Sequence, residues 1–301
     1  MEGLIKEELI KRRGYIATLE AGYRFFVDNF KTIFKHMWPY ALAFGIVLGI
    51  FEMIQLKTNM TGDVGTAEVA TTLILLPVVM IVAFLLGGRM MMLFNDQSFK
   101  WNTIRYIKLT LWLSLVAILI SFISASAFLT GDSTETGMFK AGALFFLIFT
   151  VLLIVVYLPY IYPALKYMLE PQTHFRKLIF KGWKKGFKHW GYIFVTVLLL
   201  YLCIMVMSII IFIPLGICSF AQTISAAGVA DGDASGMPGY FNILFFVVAA
   251  ISFFVYSFIS VFSLSVAYYM YGNIEAYERE KEQQLQPIET TADEATENTV
   301  Y

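Results

Sequence analysis

The chain has little charge. Of its 301 residues only 15% are Asp, Glu, Lys or Arg, against about 25% in an ordinary soluble domain. That scarcity excludes a disordered regulator and a soluble enzyme, because neither could keep so apolar a sequence in water. Cysteine is almost missing, with only Cys203 and Cys218 present. They sit 15 residues apart in one apolar run, about 22 Å along a helix, which is beyond disulfide reach. A secreted disulfide scaffold is therefore excluded, and the two read as small buried apolar residues. The three histidines, His36, His174 and His189, make no metal-ligand spacing. H-E-x-x-H, G-x-S-x-G, a P-loop and a strand-linked G-x-G-x-x-G are all lacking. The segments between apolar runs are too short for a catalytic domain. The expectation is a protein that is not an enzyme and uses no cofactor or metal. Residues 1–36 carry seven basic and five acidic side chains and no apolar core of a signal peptide, so the run from Trp38 reads as an uncleaved anchor.

What is abundant is apolar and aromatic: 58% hydrophobic residues and 17% Phe, Trp or Tyr. The apolar residues fall into six runs, at about 38–54, 70–94, 106–129, 139–165, 190–217 and 240–271. A spanning helix needs about 20 such residues. The ten-residue alternation of a membrane β-barrel is not seen. These features predict an all-α, polytopic membrane helical bundle: six transmembrane helices as three hairpins, in one domain over 1–277. Residues 278–301 turn polar and acidic and are expected to be a disordered cytoplasmic tail.

The 22 basic and 22 acidic residues cancel in number but not in place. Twenty of the basic ones lie before the first run, around the connection of runs two and three (with Arg89 and Lys108 just inside those runs), between runs four and five, or after the last. Only Lys57 and Lys140 fall on the other side. Basic residues stay in the cytoplasm, so both termini are expected there. The outer connections carry Asp63, Glu68, Asp132, Glu135, Asp231 and Asp233.

A threefold internal repeat is readable. Phe34-Lys35-His36-Met37-Trp38-Pro39-Tyr40 echoes Phe187-Lys188-His189-Trp190-Gly191-Tyr192. Trp38, Trp112 and Trp190 recur at spacings of 74 and 78, near the start of the odd spans, where tryptophan anchors at the headgroup level. Each hairpin is preceded by a cytoplasmic amphipathic segment, at about 18–37, 96–107 and 173–190. Phe26, Phe30, Ile33, Phe34 and Met37 share one helical face, with Lys31 and Lys35 on another. Phe175, Ile179, Trp183, Gly186 and Trp190 oppose Lys177, Lys181, Lys184, Lys185 and Lys188. Asp96 or Ser98 is positioned to cap the second segment, and Thr173 the third. Such helices lie in the interface, with lysines toward anionic headgroups. Two roles fit them: orientation and anchoring alone, or specific binding of anionic phospholipid. With an apolar face beside a membrane, nucleic acid is not the expected partner; lipids are, and a membrane-protein partner is compatible.

Ionisable residues inside a span default to function. Two stand out: Glu52 near the outer end of span 1, and Arg89 after Gly87-Gly88 near the inner end of span 2. They form a candidate intramembrane polar site, with end-of-helix snorkelling as the simpler reading. Small polar stripes, Thr110, Ser114, Ser121 and Ser124 in span 3 and Ser252, Tyr256, Ser260 and Ser263 in span 6, suit helix packing or a permeation path. Pro159 and Pro163 should kink or end span 4.

The segment Pro159-Tyr160-Ile161-Tyr162-Pro163-Ala164, then Glu170, then the basic-aromatic helix to Trp190 resembles a group of bacterial six-span proteins. The group includes the membrane domain attached to glycerophosphoryl diester phosphodiesterases. The resemblance spans about 18–277 and implies a bacterial inner-membrane protein. It brings no activity, since the catalytic domain of those fusions has no counterpart here. The sequence thus points to a non-enzymatic multi-pass membrane protein that organises lipids or partner proteins at the cytoplasmic face. A small-solute or lipid transporter or channel is the alternative, and it would need a polar path meeting Glu52 or Arg89.

Overall fold

The computed structural model describes residues 9–61, 66–125, 135–177, 181–232 and 236–297. Among them there is no strand. The helices are α1 (Tyr15–Asp28), α2 (Phe30–Thr61), α3 (Thr66–Met91), α4 (Phe99–Ala125), α5 (Glu135–Leu152), α6 (Ile161–Leu169), α7 (Phe175–Lys177), α8 (Trp183–Lys188), α9 (Trp190–Ala230) and α10 (Phe241–Glu297). A π turn (Leu153–Tyr157) and a 3₁₀ turn (Leu158–Tyr160) join α5 to α6. Six stretches are long and apolar enough to cross a membrane: Phe30–Leu56, Ala70–Met91, Phe99–Ala125, Lys140–Leu169, Trp190–Val229 and Phe241–Gln284. The all-α, multi-pass reading of the sequence holds.

The amphipathic segments are separate helices only in part, as α1 in the first and α7 and α8 in the third. The first divides at Asn29, whose amide N–H₂ donates to the Phe25 carbonyl at 2.9 Å; its second half is the opening of α2. The second runs without a break into α4. Ser98 caps it, its hydroxyl accepting from the Trp101 N–H at 3.3 Å. In the third, the Thr173 hydroxyl donates to Glu170 at 3.0 Å. No Gly or Pro separates the basic turns from the apolar ones in α2 or α4 until Pro39, so the helix simply continues. The 41 residues of α9 and 57 of α10 exceed the about 20 that one span needs. The expected start of the tail at 278 lies inside α10, and Glu278 and Glu280 just beyond it form ion pairs.

Two compact units divide the chain. One, the aromatic unit, comprises Phe25–Trp112 and Leu198–Leu264. In it α10 meets α2 through Gly45 and Gly49: a Cβ on Gly45 would sit 2.5 Å from the Ala250 carbonyl, and one on Gly49 3.1 Å from the Ala250 nitrogen. Small residues four apart let two backbones approach where apolar burial gives no drive. Beside this contact runs a stack of rings, with Phe26 against Phe262, Phe30 against Phe258, and Phe34 against Phe254 and Phe258. Asn95 and Asn102 exchange reciprocal amide hydrogen bonds of 2.8 Å, with Asn102 wholly buried. The Ser252 hydroxyl donates to the Ile211 carbonyl at 3.2 Å. Apolar side chains such as Ile210 and Phe220 lie outward, over 60% exposed, as lipid contact requires. Cys203 is exposed and Cys218 only half-buried, so the expected burial of the two cysteines is corrected: their sides of α9 are not packed against the unit.

The other, the charged unit, comprises Met1–Arg24, Leu113–Val197 and Ser265–Tyr301. Its centre is the turn that the prolines impose. In the π turn the Leu158 N–H reaches back five residues to the Leu153 carbonyl. The next such bond would need an N–H on residue 159, which is proline. The Ile154 carbonyl is taken instead by the Trp190 indole N–H at 3.2 Å, and the Val156 carbonyl by the Trp183 indole at 2.9 Å. Pro163 likewise cannot bond the Pro159 carbonyl, against which Gly186 packs so closely that a Cβ would collide with it.

The glycines give a paired test. Gly45→Ala is expected to destabilise the protein by about 1–3 kcal/mol, as overpacking does. Gly142→Ala, with open space at its Cβ, should gain up to about 1 kcal/mol of helix stability. Thermal unfolding of both variants in one detergent checks the opposite signs.

Candidate functional site

Three helices of the charged unit bring ionisable groups together. The polar end of α10 carries Tyr271, Glu275 and Glu278, spaced four and three apart on one face. From α6 and the residue after it come Tyr162, Lys166 and Glu170. From α8 and the residue after it come Lys185, Lys188 and His189.

Glu275 is the inner hub. Its Oε1 accepts from the Tyr162 hydroxyl at 2.5 Å and from the Lys166 ammonium at 2.6 Å. Lys166 also lies 3.5 Å from Glu170, which accepts from the Tyr271 hydroxyl at 2.7 Å. The Tyr162 and Tyr271 rings stack 5.9 Å apart, closing the loop. Glu278 is the outer hub. It accepts from Lys188 at 2.6 Å, pairs with the His189 ring at 2.8 Å and has Lys185 at 3.7 Å. The two hub side chains are only 10% and 11% exposed. Buried carboxylates survive only when paired and hydrogen-bonded, and each of these has at least two donors. The hydrogen bond from Lys188 to Glu278 raises the Lys188 pKa above its ordinary 10.5.

Above α10, residues 9–14 form a strap. The Leu9 carbonyl lies against Gly272 so closely that only glycine fits. The Arg13 backbone N–H donates to the Asn273 side chain at 2.6 Å, and Arg12 pairs with Glu280 at 3.1 Å. The Thr18 and Tyr192 hydroxyls, 2.7 Å apart, tie α1 to α9.

The residues singled out from the sequence divide into groups. Lys185 and Lys188 pair with Glu278, though their side chains stay 44% and 43% exposed. Lys31, Lys35, Lys181 and Lys184 are exposed and have no ion pair among the described residues. The side chain of Lys177 lies outside the described residues. Arg89 donates to the His36 carbonyl at 3.3 Å, contacts the Met92 sulfur at 3.4 Å and stands over the Tyr40 ring at 5.7 Å. Glu52 is sixteen residues beyond His36 on the same helix, about 24 Å away, so the structure does not bring Glu52 and Arg89 into one site. Trp38 is exposed and Trp112 half-buried. Trp190 spends its indole N–H on Ile154 rather than on the interface. The hydroxyls of Ser121, Ser124 and Ser263 bond carbonyls one turn back in their own helices. No cluster of His, Cys, Asp or Glu among the described residues is placed to hold a metal.

Sequence reasoning missed Glu275, Glu278, Tyr162, Lys166 and Tyr271. A signal was available: Lys166 and Glu170 stand one turn apart, and Glu275 and Glu278 open the polar end of the last span.

Glu275→Ala strands Lys166 and the Tyr162 hydroxyl. It should cost about 2–5 kcal/mol, against under about 1 kcal/mol for Glu280→Ala in its exposed pair; denaturation in matched detergent compares them. The raised Lys188 pKa adds a pH signature. The stabilisation is complete below the ordinary lysine value and is lost as pH rises through the folded one. Thermal stability should therefore fall above about pH 10.5, and Lys188→Met should remove that part of the fall.

Compared with protein-family models, with curated proteins and with solved structures, the chain matches none.

Proposed function

We propose that this multi-pass membrane protein is not a catalyst but an organiser of anionic lipid at the cytoplasmic side of a bacterial inner membrane. The observation that carries this reading is the division among its lysines. Lys185 and Lys188 are consumed by Glu278, whereas Lys181 and Lys184 on the same short segment stay exposed and unpaired. Next to them the exposed Phe187 ring stacks on Trp183 at 5.2 Å. Free ammonium groups beside an outward aromatic ring suit the boundary between headgroups and acyl chains. In the aromatic unit, exposed Lys31 and Lys35 flank exposed Phe30, Phe34 and Trp38 in the same way. Cytoplasmic placement of these groups follows from the positive-inside rule. The family resemblance supports the inner membrane, and the segment that carries it supplies Tyr162, Lys166 and Glu170 to the ion-pair network. The transport reading would need a polar path meeting Glu52 or Arg89, and Arg89 is instead engaged by the His36 carbonyl and the Tyr40 ring.

Each headgroup-facing lysine contributes about 1 kcal/mol, roughly a fivefold preference. Lipids extracted with the protein in native polymer discs should be richer in phosphatidylglycerol than the surrounding membrane. The combined variant Lys31→Gln, Lys35→Gln, Lys181→Gln and Lys184→Gln should return that ratio to the bulk value. Unchanged enrichment would refute the reading.

A further inference from the structure

A second, more enclosed feature of the charged unit is independent of the surface lysines. Between the strap, the start of α9 and the polar end of α10 lies a cavity of about 480 Å³. Its lining is Arg12, Arg13, Gly14, Tyr15, His189, Tyr192, Asn273, Ile274 and Tyr277. Two guanidinium groups, one imidazole, three phenols and an amide thus line one hollow, and no carboxylate is among them. The opening turn of α1 also borders it, through Gly14 and Tyr15, and α1 has no acidic residue in that turn.

The walls are held in place from outside the cavity. Tyr15 stacks on Tyr192 at 5.4 Å. His189 meets the Tyr277 ring edge-on at 5.3 Å, while its Nε2 is fixed by Glu278. The Arg13 guanidinium stands over Tyr269 at 5.0 Å and donates to the Leu9 carbonyl at 3.0 Å, which anchors it. Arg12 is held less firmly. Its guanidinium lies 5.3 Å from the Tyr277 ring centre, and its one carboxylate partner among the described residues is Glu280, in a pair whose side chains are 59% and 46% exposed. So exposed a pair has little net strength and yields to a better acceptor.

We propose that this cavity binds a phosphate group. A phosphate oxygen set matches a planar guanidinium in two-pronged fashion. It would draw Arg12 from Glu280, with the Arg13 charge, the tyrosine hydroxyls and the first-turn amides as further donors. The cavity lies at the start of α9 and the polar end of α10, and on the positive-inside reading proposed above it faces the cytoplasmic headgroups. The same chemistry is offered by a free phosphate compound, and the test separates the two sources.

Isothermal calorimetry on the full-length chain in mixed micelles uses two probes, phosphatidylglycerol and inorganic phosphate. Saturable one-to-one binding of at least one is expected. Arg12→Gln should weaken it about tenfold or more, the scale of one charge-assisted hydrogen-bonded contact. Glu280→Gln should strengthen it by removing the competing carboxylate. Lys181→Gln with Lys184→Gln should leave it unchanged, so its failure and that of the lipid-organising reading are distinguishable. Lipid binding that inorganic phosphate does not displace identifies a headgroup; displacement, or binding of phosphate alone, identifies a free phosphate ligand. Saturation by neither probe overturns the proposal. So does an Arg12→Gln variant that binds like the parent, or a Glu280→Gln variant that loses binding as Arg12→Gln does, since the pair would then act only structurally.

Discussion

Carboxylates placed where water is scarce must find cations, and in the charged unit that requirement selects the arrangement of three helices. Glu275 and Glu278 sit three residues apart on α10, with side chains about nine-tenths covered. Neither could remain ionised alone. Glu275 therefore commits Lys166 and Tyr162 of α6, and Glu278 commits Lys188 of α8 and the adjacent His189. The stacked Tyr162 and Tyr271 rings and the Glu170 bridge follow from bringing α6 against that face. Packing of this kind secures one geometry more than it adds stability, because desolvation offsets much of the attraction.

The backbone of the same unit solves a related problem. Pro159 and Pro163 deprive the fourth span of two N–H donors, leaving carbonyls without helical partners. In a membrane such groups are costly. Trp190, on the segment that also brings Lys185 and Lys188, supplies the donor that Pro159 withholds from Ile154, and Trp183 donates to the nearby Val156 carbonyl. One short stretch thus serves carbonyls of this turn with its indoles and the α10 carboxylates with its cations.

Much of this was legible from composition and periodicity. The six spans follow directly from the length of the apolar runs, and each run has its helix in the structure. Helix ends were less legible, since the basic turns before spans 1 and 3 contain nothing to stop a helix that then enters the membrane. The lysine stripe of 177–188 looked uniform in sequence. What divided it is a carboxylate about 90 residues away, and no local pattern states which lysine a distant Glu278 will take. Trp190 looked like an interfacial anchor for the same reason: its acceptor, the Ile154 carbonyl, exists only because proline stands at 159. Pairings across long sequence separations depend on the tertiary fold, and hydropathy carries no record of them.

The π turn at Leu153–Tyr157 also acts on angle. A π turn holds one residue more than the α-helical repeat would, and each residue turns an α-helix by about 100°. The 3₁₀ turn at Leu158–Tyr160 winds the chain tighter again, so the two turns together set the phase between the stripes of α5 and α6. Tyr162 and Lys166 reach Glu275 from the phase that results. The number of residues in one turn, as much as their identity, sets the charge pairing, and a single-residue deletion there would rotate a lysine away from its carboxylate without changing either one.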